Sequence, residues 1–125
     1  ARERREGRRV PGLGHPTHTE GDPRTAALYE VADAAGISSV MRQRLDALRR
    51  AAEAASARAL PVNVDGASAA VLSDLGLPWQ IVRGVALVAR AAGLVGHLWD
   101  ETNHPAATTI WETAENAVPY QPPAV

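Results

Sequence analysis

The 125-residue sequence has no cysteine, no lysine and no phenylalanine. Without thiols, a disulfide framework and a cysteine-ligated zinc site are excluded, and the expected location is cytoplasmic. Three Trp and two Tyr make up all of the aromatic share of 4%, so any core must be aliphatic, built mainly from Ala, Val and Leu. There is no strong excess of charge: 13 basic residues, all Arg, face 14 acidic ones for a net charge of −1. No long apolar run is present either. Val85 to Leu98 is interrupted by Arg90 and His97 and falls short of the roughly 18 residues that a bilayer span needs, so no membrane segment is expected. What is abundant is hydrophobic residue, at 46%, which argues against disorder throughout and suits one compact domain or a piece of one.

Charge is uneven along the chain. Residues 1–9 hold Arg2, Arg4, Arg5, Arg8 and Arg9 against Glu3 and Glu6, a local +3, while the remainder has eight Arg against twelve acids, or −4. No apolar segment follows as in a signal peptide, so 1–9 reads as a basic leader or linker. The acidic body lacks a basic stripe interleaved with aromatics, and a nucleic-acid partner is not expected. The first residue is Ala rather than Met, which reads as a piece of a longer or processed protein.

Residues 10–21, with three Gly and two Pro, read as a loop. A helix should follow at once, with Asp22 as N-cap, Pro23 at its first position and Gly36 as its stop. A second helix is expected over about Ser39 to Arg58, with Met41, Leu45, Leu48, Ala52 and Ala55 on one face. Pro61 ends that pattern, and a short third helix should lie within Gly66 to Leu75. The fourth, from about Pro78 to Asp100, is apolar around most of its circumference and is expected to be buried on most sides. A final turn or short helix around Ile110 and Trp111 and an extended tail over 119–125 complete a mainly α reading.

Three places depart from a plain helical bundle. In Gly12-Leu13-Gly14-His15-Pro16, two glycines allow a ligand to approach the backbone beside an imidazole, although a glycine-rich turn with a surface histidine is common. In Asn63-Val64-Asp65-Gly66, Asp65 fits either a helix N-cap or a carboxylate general base, and spacing does not choose. On the fourth helix Arg83, Arg90 and His97 recur every seven residues, about 10 Å apart along the axis. Arg83 suits a solvated stripe. Arg90, among Leu87, Val88, Ala91 and Leu94, is costly to bury unpaired and should meet a carboxylate. His15, His18, His97 and His104 form no metal-ligand signature, and no metal is expected.

Taken together, Val10-Pro-Gly-Leu-Gly-His15, then Asp22-Pro23-Arg24, then Asn63-Val64-Asp65-Gly66, then Ala89-Arg90-Ala-Ala-Gly93-Leu-Val-Gly96-His97 resemble the C-terminal half of the citrate synthase superfamily over about residues 9–120. The Asn-Val-Asp-Gly form, the Gly-x-x-Gly-His ending and His104-Pro105 are most similar to the citryl-CoA lyase branch, which includes the lyase module of ATP citrate lyase. The resemblance implies a citrate synthase-like helical fold, with 10–60 as a small-domain segment and 61–118 as a C-terminal segment of the large domain. It also implies a homodimer or higher homo-oligomer that makes or breaks the carbon–carbon bond between acetyl-CoA and oxaloacetate, with coenzyme A entering as the acyl-CoA substrate and a dicarboxylate or tricarboxylate as the other partner.

By the same resemblance, Asp65 moves the proton at the acetyl carbon and His15 serves the oxaloacetate oxygen. Arg24 and Arg90 hold carboxylates, and the backbone of Val10, Pro11, Gly12, Leu13 and Gly14 meets the adenine end of CoA. Two departures stand out. The family's further histidine belongs to a segment upstream of these residues, so the chain holds about half an active site. No Arg follows Arg90, and Asn103 stands before His104-Pro105 where the family's cross-subunit Arg is sought. The alternative expectation is therefore a non-catalytic paralogue that binds CoA or a dicarboxylate for regulation or assembly. A synthase for another acyl-CoA or 2-oxo acid is a third reading.

Overall fold

A computed structural model describes residues 9–118, 120 and 121. Most of the basic leader and most of the Pro-rich tail lie outside the described residues. Five helices follow in order: α1 (Pro23–Ala34), α2 (Val40–Ser56), α3 (Val64–Asp74), α4 (Trp79–Asn103) and α5 (Ala107–Ala117). No strand occurs among the described residues, only an isolated antiparallel bridge between Leu13 and Val62. The chain divides into two compact units, 1–86 and 87–125.

In the first unit, α3 packs against both α1 and α2, so packing crosses residue 60. Its inner face is made of small residues, Gly66, Ala67, Ala70 and Val71, which let the neighbouring backbones come close. The buried apolar side chains are those of Ala67, Ala70 and Val71 together with Ala32 of α1 and Leu13 of the loop.

Local chemistry explains the boundaries. Asp22 accepts from the Arg24 N–H at 3.1 Å and Pro23 opens α1. At its other end Gly36, at φ 67°, donates to the Asp33 carbonyl while Ile37 donates to that of Ala32. This double closure satisfies carbonyls that a helix end leaves unpaired. Gly76 and Leu77 close α3 the same way. The start of α2 is capped from a distance: the Met41 N–H donates to Asp74 at 2.9 Å, across 33 residues, and Ser39 makes no side-chain cap. Arg42 then ties α2 to α1, with Nη2 2.6 Å from Asp33 and its guanidinium 5.3 Å from the Tyr29 ring. At the far end of α2, Glu53 accepts from the Leu60 N–H at 2.9 Å. That bond, then the neighbouring Arg49, lowers its pKa against the opposing effect of burial.

α4 departs from the sequence expectation in two respects. None of its residues is buried; Leu87, Val95 and Trp99 are 61–71% exposed. Apolar periodicity signals a face that favours contact, but contact needs a covering layer, and α4 has none among the described residues. The helix also runs 25 residues and is long and apolar enough to cross a membrane by length and composition. The run counted from Val85 to Leu98 is too short because it stops at its flanks, whereas a helix tolerates an Arg or two within a span-length window.

In the second unit, Glu101 reaches forward to accept from the N–H groups of Ala106 and Ala107 at 3.0 and 2.9 Å. It thereby caps α5, which is a full eleven-residue helix. This carboxylate is thus engaged away from His97, its i,i+4 neighbour.

Candidate active site

The loop carrying His15 is latched to the segment that starts α3. Gly14 N–H donates to the Pro61 carbonyl at 2.7 Å, Asn63 N–H to the Gly12 carbonyl at 3.1 Å, and the Asn63 side-chain amide to the Gly14 carbonyl at 2.8 Å. Gly12 and Gly66 touch backbone to backbone: a Cβ on Gly66 would lie 2.5 Å from the Gly12 oxygen, and one on Gly12 would lie 2.9 Å from the Gly66 Cα. Gly12 also needs its positive φ of 84°. His15 and Asp65 therefore stand on two segments held in direct register within one unit.

Asp65 is not the cap of α3. Asn63 is, its Oδ1 accepting from the N–H groups of Asp65 and Gly66, each at 3.1 Å. The two readings of the tetrapeptide separate cleanly: Asn63 takes the structural task, and the exposed Asp65 carboxylate is left in the first turn, where the helix dipole favours negative charge.

The His15 ring is oriented by its own loop. Nδ1 accepts from the N–H groups of Thr17 and His18 at 3.1 and 3.0 Å, so the neutral ring carries its proton on Nε2. Nε2 lies 3.4 Å from Arg24 Nη2. The His18 ring packs against His15 at 4.5 Å between centroids.

Arg24 itself is gripped by Asp22. Nε and Nη2 donate at 2.9 Å each to the two oxygens of that carboxylate. Asp22, buried with a side chain only 1% exposed, also accepts from the Val64 N–H at the start of α3 at 2.9 Å. Hydrogen bonding from the Arg24 side chain, set against desolvation and aided by the Val64 and Arg24 amides, holds this carboxyl well below the usual range. The Arg24 pKa is raised, first by its bond to Asp22 and least by the charge of Asp65, which marks Asp65 as a neighbour of the guanidinium.

Arg90 and the Val10–Gly14 loop remain. Arg90 belongs to the second unit, is exposed, and makes no ion pair among the described residues. Its guanidinium is not desolvated in this chain, because no residue of α4 is buried. In the Val10–Gly14 loop, the Gly12 carbonyl and both polar backbone groups of Gly14 are engaged by 61–63, which leaves only its outer edge for a ligand. No cluster of three metal-ligating side chains occurs among the described residues. Sequence reading finds Asp22 only as a cap. Its grip on Arg24 is foreshadowed by the i,i+2 spacing, but its bond to Val64 joins residues 42 apart, which no local pattern reveals.

An exposed carboxylate in the first turn of one helix, a guanidinium in the first turn of another and an imidazole on the loop latched between them form a set of groups that can bind a small anion and move a proton. The family described as citrate synthase, C-terminal domain, matches residues 1–111, and the chain belongs to that family. The structure of citryl-CoA lyase from Hydrogenobacter thermophilus is similar, with a TM-score of 0.72 and 25% identity, over 99% of this chain and 49% of that one. The chain thus spans about half the length of that lyase. No curated protein matches the sequence.

Proposed function

We propose that the chain is the C-terminal part of a citryl-CoA lyase or citrate synthase-like enzyme that makes or breaks the carbon–carbon bond between acetyl-CoA and oxaloacetate. The observation that carries this reading is the approach of His15 Nε2 to Arg24 Nη2, 3.4 Å apart, with His15 on a loop latched to the helix that bears Asp65 and Arg24 at the start of α1. A four-carbon 2-oxo acid matches that pattern. Its carboxylate sits on the Nη1 and Nη2 edge of Arg24, which Asp22 leaves open, and its keto oxygen accepts from His15 Nε2. In the synthetic direction Asp65 takes a proton from the acetyl methyl group, and the resulting enolate attacks the keto carbon as His15 supplies a proton to the new alcohol oxygen. Cleavage reverses these transfers.

Arg90 as a second carboxylate ligand, the Val10–Gly14 loop at the adenine end of CoA, and the small- and large-domain assignment of 10–60 and 61–118 belong to the same proposal. So do a homo-oligomeric state and a cytoplasmic location. The full-length protein should turn over citryl-CoA. Asp65→Asn should lower kcat by about 10²–10⁴, the range for a lost general base; turnover that survives this change intact would refute the role given to Asp65. Asn103 in place of an Arg before His104-Pro105 favours a second reading, a non-catalytic relative. Calorimetry that found tight CoA or citrate binding with no product formed would establish it.

A further inference from the structure

The geometry points to Asp22 as a positioning residue that sets the direction in which Arg24 presents its guanidinium, an inference that rests on the reading of Arg24 as a carboxylate ligand. Four observations carry it. The carboxylate is almost fully buried. It is anchored by two backbone N–H groups at the starts of different helices, Arg24 in α1 and Val64 in α3, at 3.1 and 2.9 Å. It holds the guanidinium by both of its oxygens, at Nε and Nη2, each at 2.9 Å. Finally, the Arg24 side chain is 48% exposed, so without Asp22 little else would restrict its rotamers.

A two-point fork fixes the plane of a guanidinium as well as its position. With Nε and one N–H of Nη2 committed to Asp22, the second N–H of Nη2 and the one N–H of Nη1 beside it form an edge whose direction is thereby fixed. Nη2 on that edge is the atom that lies beside His15 Nε2. The anchoring carboxylate thus converts a flexible surface arginine into a donor pair of fixed direction, referenced to the same α3 terminus that carries Asp65.

The test is a mutant cycle in the full-length protein, reading KM for the four-carbon or citryl substrate separately from kcat. Asp22→Asn preserves shape and one acceptor oxygen but sets an amide N–H against the donors. It should raise KM about 10- to 100-fold, the scale of a misplaced binding group, with a smaller change in kcat. Arg24→Gln should raise KM at least as much, and adding Asp22→Asn to it should add less than about twofold, since residues that act as a unit are not additive. If Asp22→Asn unfolds the protein, Arg24→Lys tests the same point with Asp22 intact. Lysine keeps the charge but cannot make the fork, so it should lose affinity nearly as Arg24→Gln does. Wild-type KM in Asp22→Asn or in Arg24→Lys, while Arg24→Gln is impaired, overturns the positioning role and leaves the proposed function standing. Wild-type KM in Arg24→Gln overturns both the positioning role and the reading of Arg24 as a carboxylate ligand.

Discussion

Asp22 links charge to folding as well as to binding. Its carboxyl is held below its ordinary value of 3.8, chiefly by the Arg24 side chain, so the unfolded chain takes up this proton at a higher pH than the folded one. A depressed folded pKa contributes stability that is fully present above the unfolded value and is lost as pH falls through the folded one. The urea midpoint of the wild type should therefore carry a decline below about pH 4 that Asp22→Asn lacks; identical acid slopes in the two proteins would contradict this. Neighbouring residues also show where sequence reading reaches its limit. Asp22 before a proline announces a cap on its own. Asn63 and Asp65 are both good capping types two positions apart, and it is Asn63, tied by its backbone and side chain to the Gly12–Gly14 loop, that caps while Asp65 stays exposed.

At the scale of elements, α1 and α3 were legible because their stops are local: a glycine at positive φ closes each one. The start of α2 was only half legible, since its capping carboxylate, Asp74, is remote in sequence. The join between the His15 loop and α3 was not legible at all, because it is made by backbone contact between segments about 50 residues apart. That join gives a sharp prediction. Gly66→Ala places a methyl group 2.5 Å from the Gly12 oxygen, where only main chain can yield. It should destabilise the unit by about 1–3 kcal/mol, the usual cost of overpacking. It should also lower turnover more than Ser68→Ala does, a change at a half-buried position of the same helix that adds no atoms. Equal melting temperatures for Gly66→Ala and wild type would show that the contact is looser than the geometry states.

At the scale of the whole molecule, the buried apolar set among the described residues is small, and no large side chain among them is fully buried. Below about 70–80 residues a single core seldom supplies more than about 3–5 kcal/mol, and the first unit is close to that size. The second unit leaves Leu94, Val95, Leu98, Trp99, Ile110 and Trp111 more than half exposed. A polypeptide of these 125 residues alone is expected to self-associate, to bind a hydrophobic dye and to melt broadly; a monomer with a sharp transition and no dye binding would show otherwise. Periodicity correctly identified α4 as a helix with a strong preference for contact. It could not say whether the contacting surface lies in this stretch of sequence, because an amphipathic pattern records a demand for a partner and not the partner's address.

The abutment of Gly12 on Gly66 has a last implication, for heat. Most spacings inside a protein are averages over side-chain rotamers and drift as temperature repopulates them. Main-chain atoms resting on each other have no rotamers to repopulate, so the closest approach of the histidine-bearing and aspartate-bearing segments is limited by atomic radii. It behaves as a hard stop whose width holds constant on warming until the unit itself comes apart.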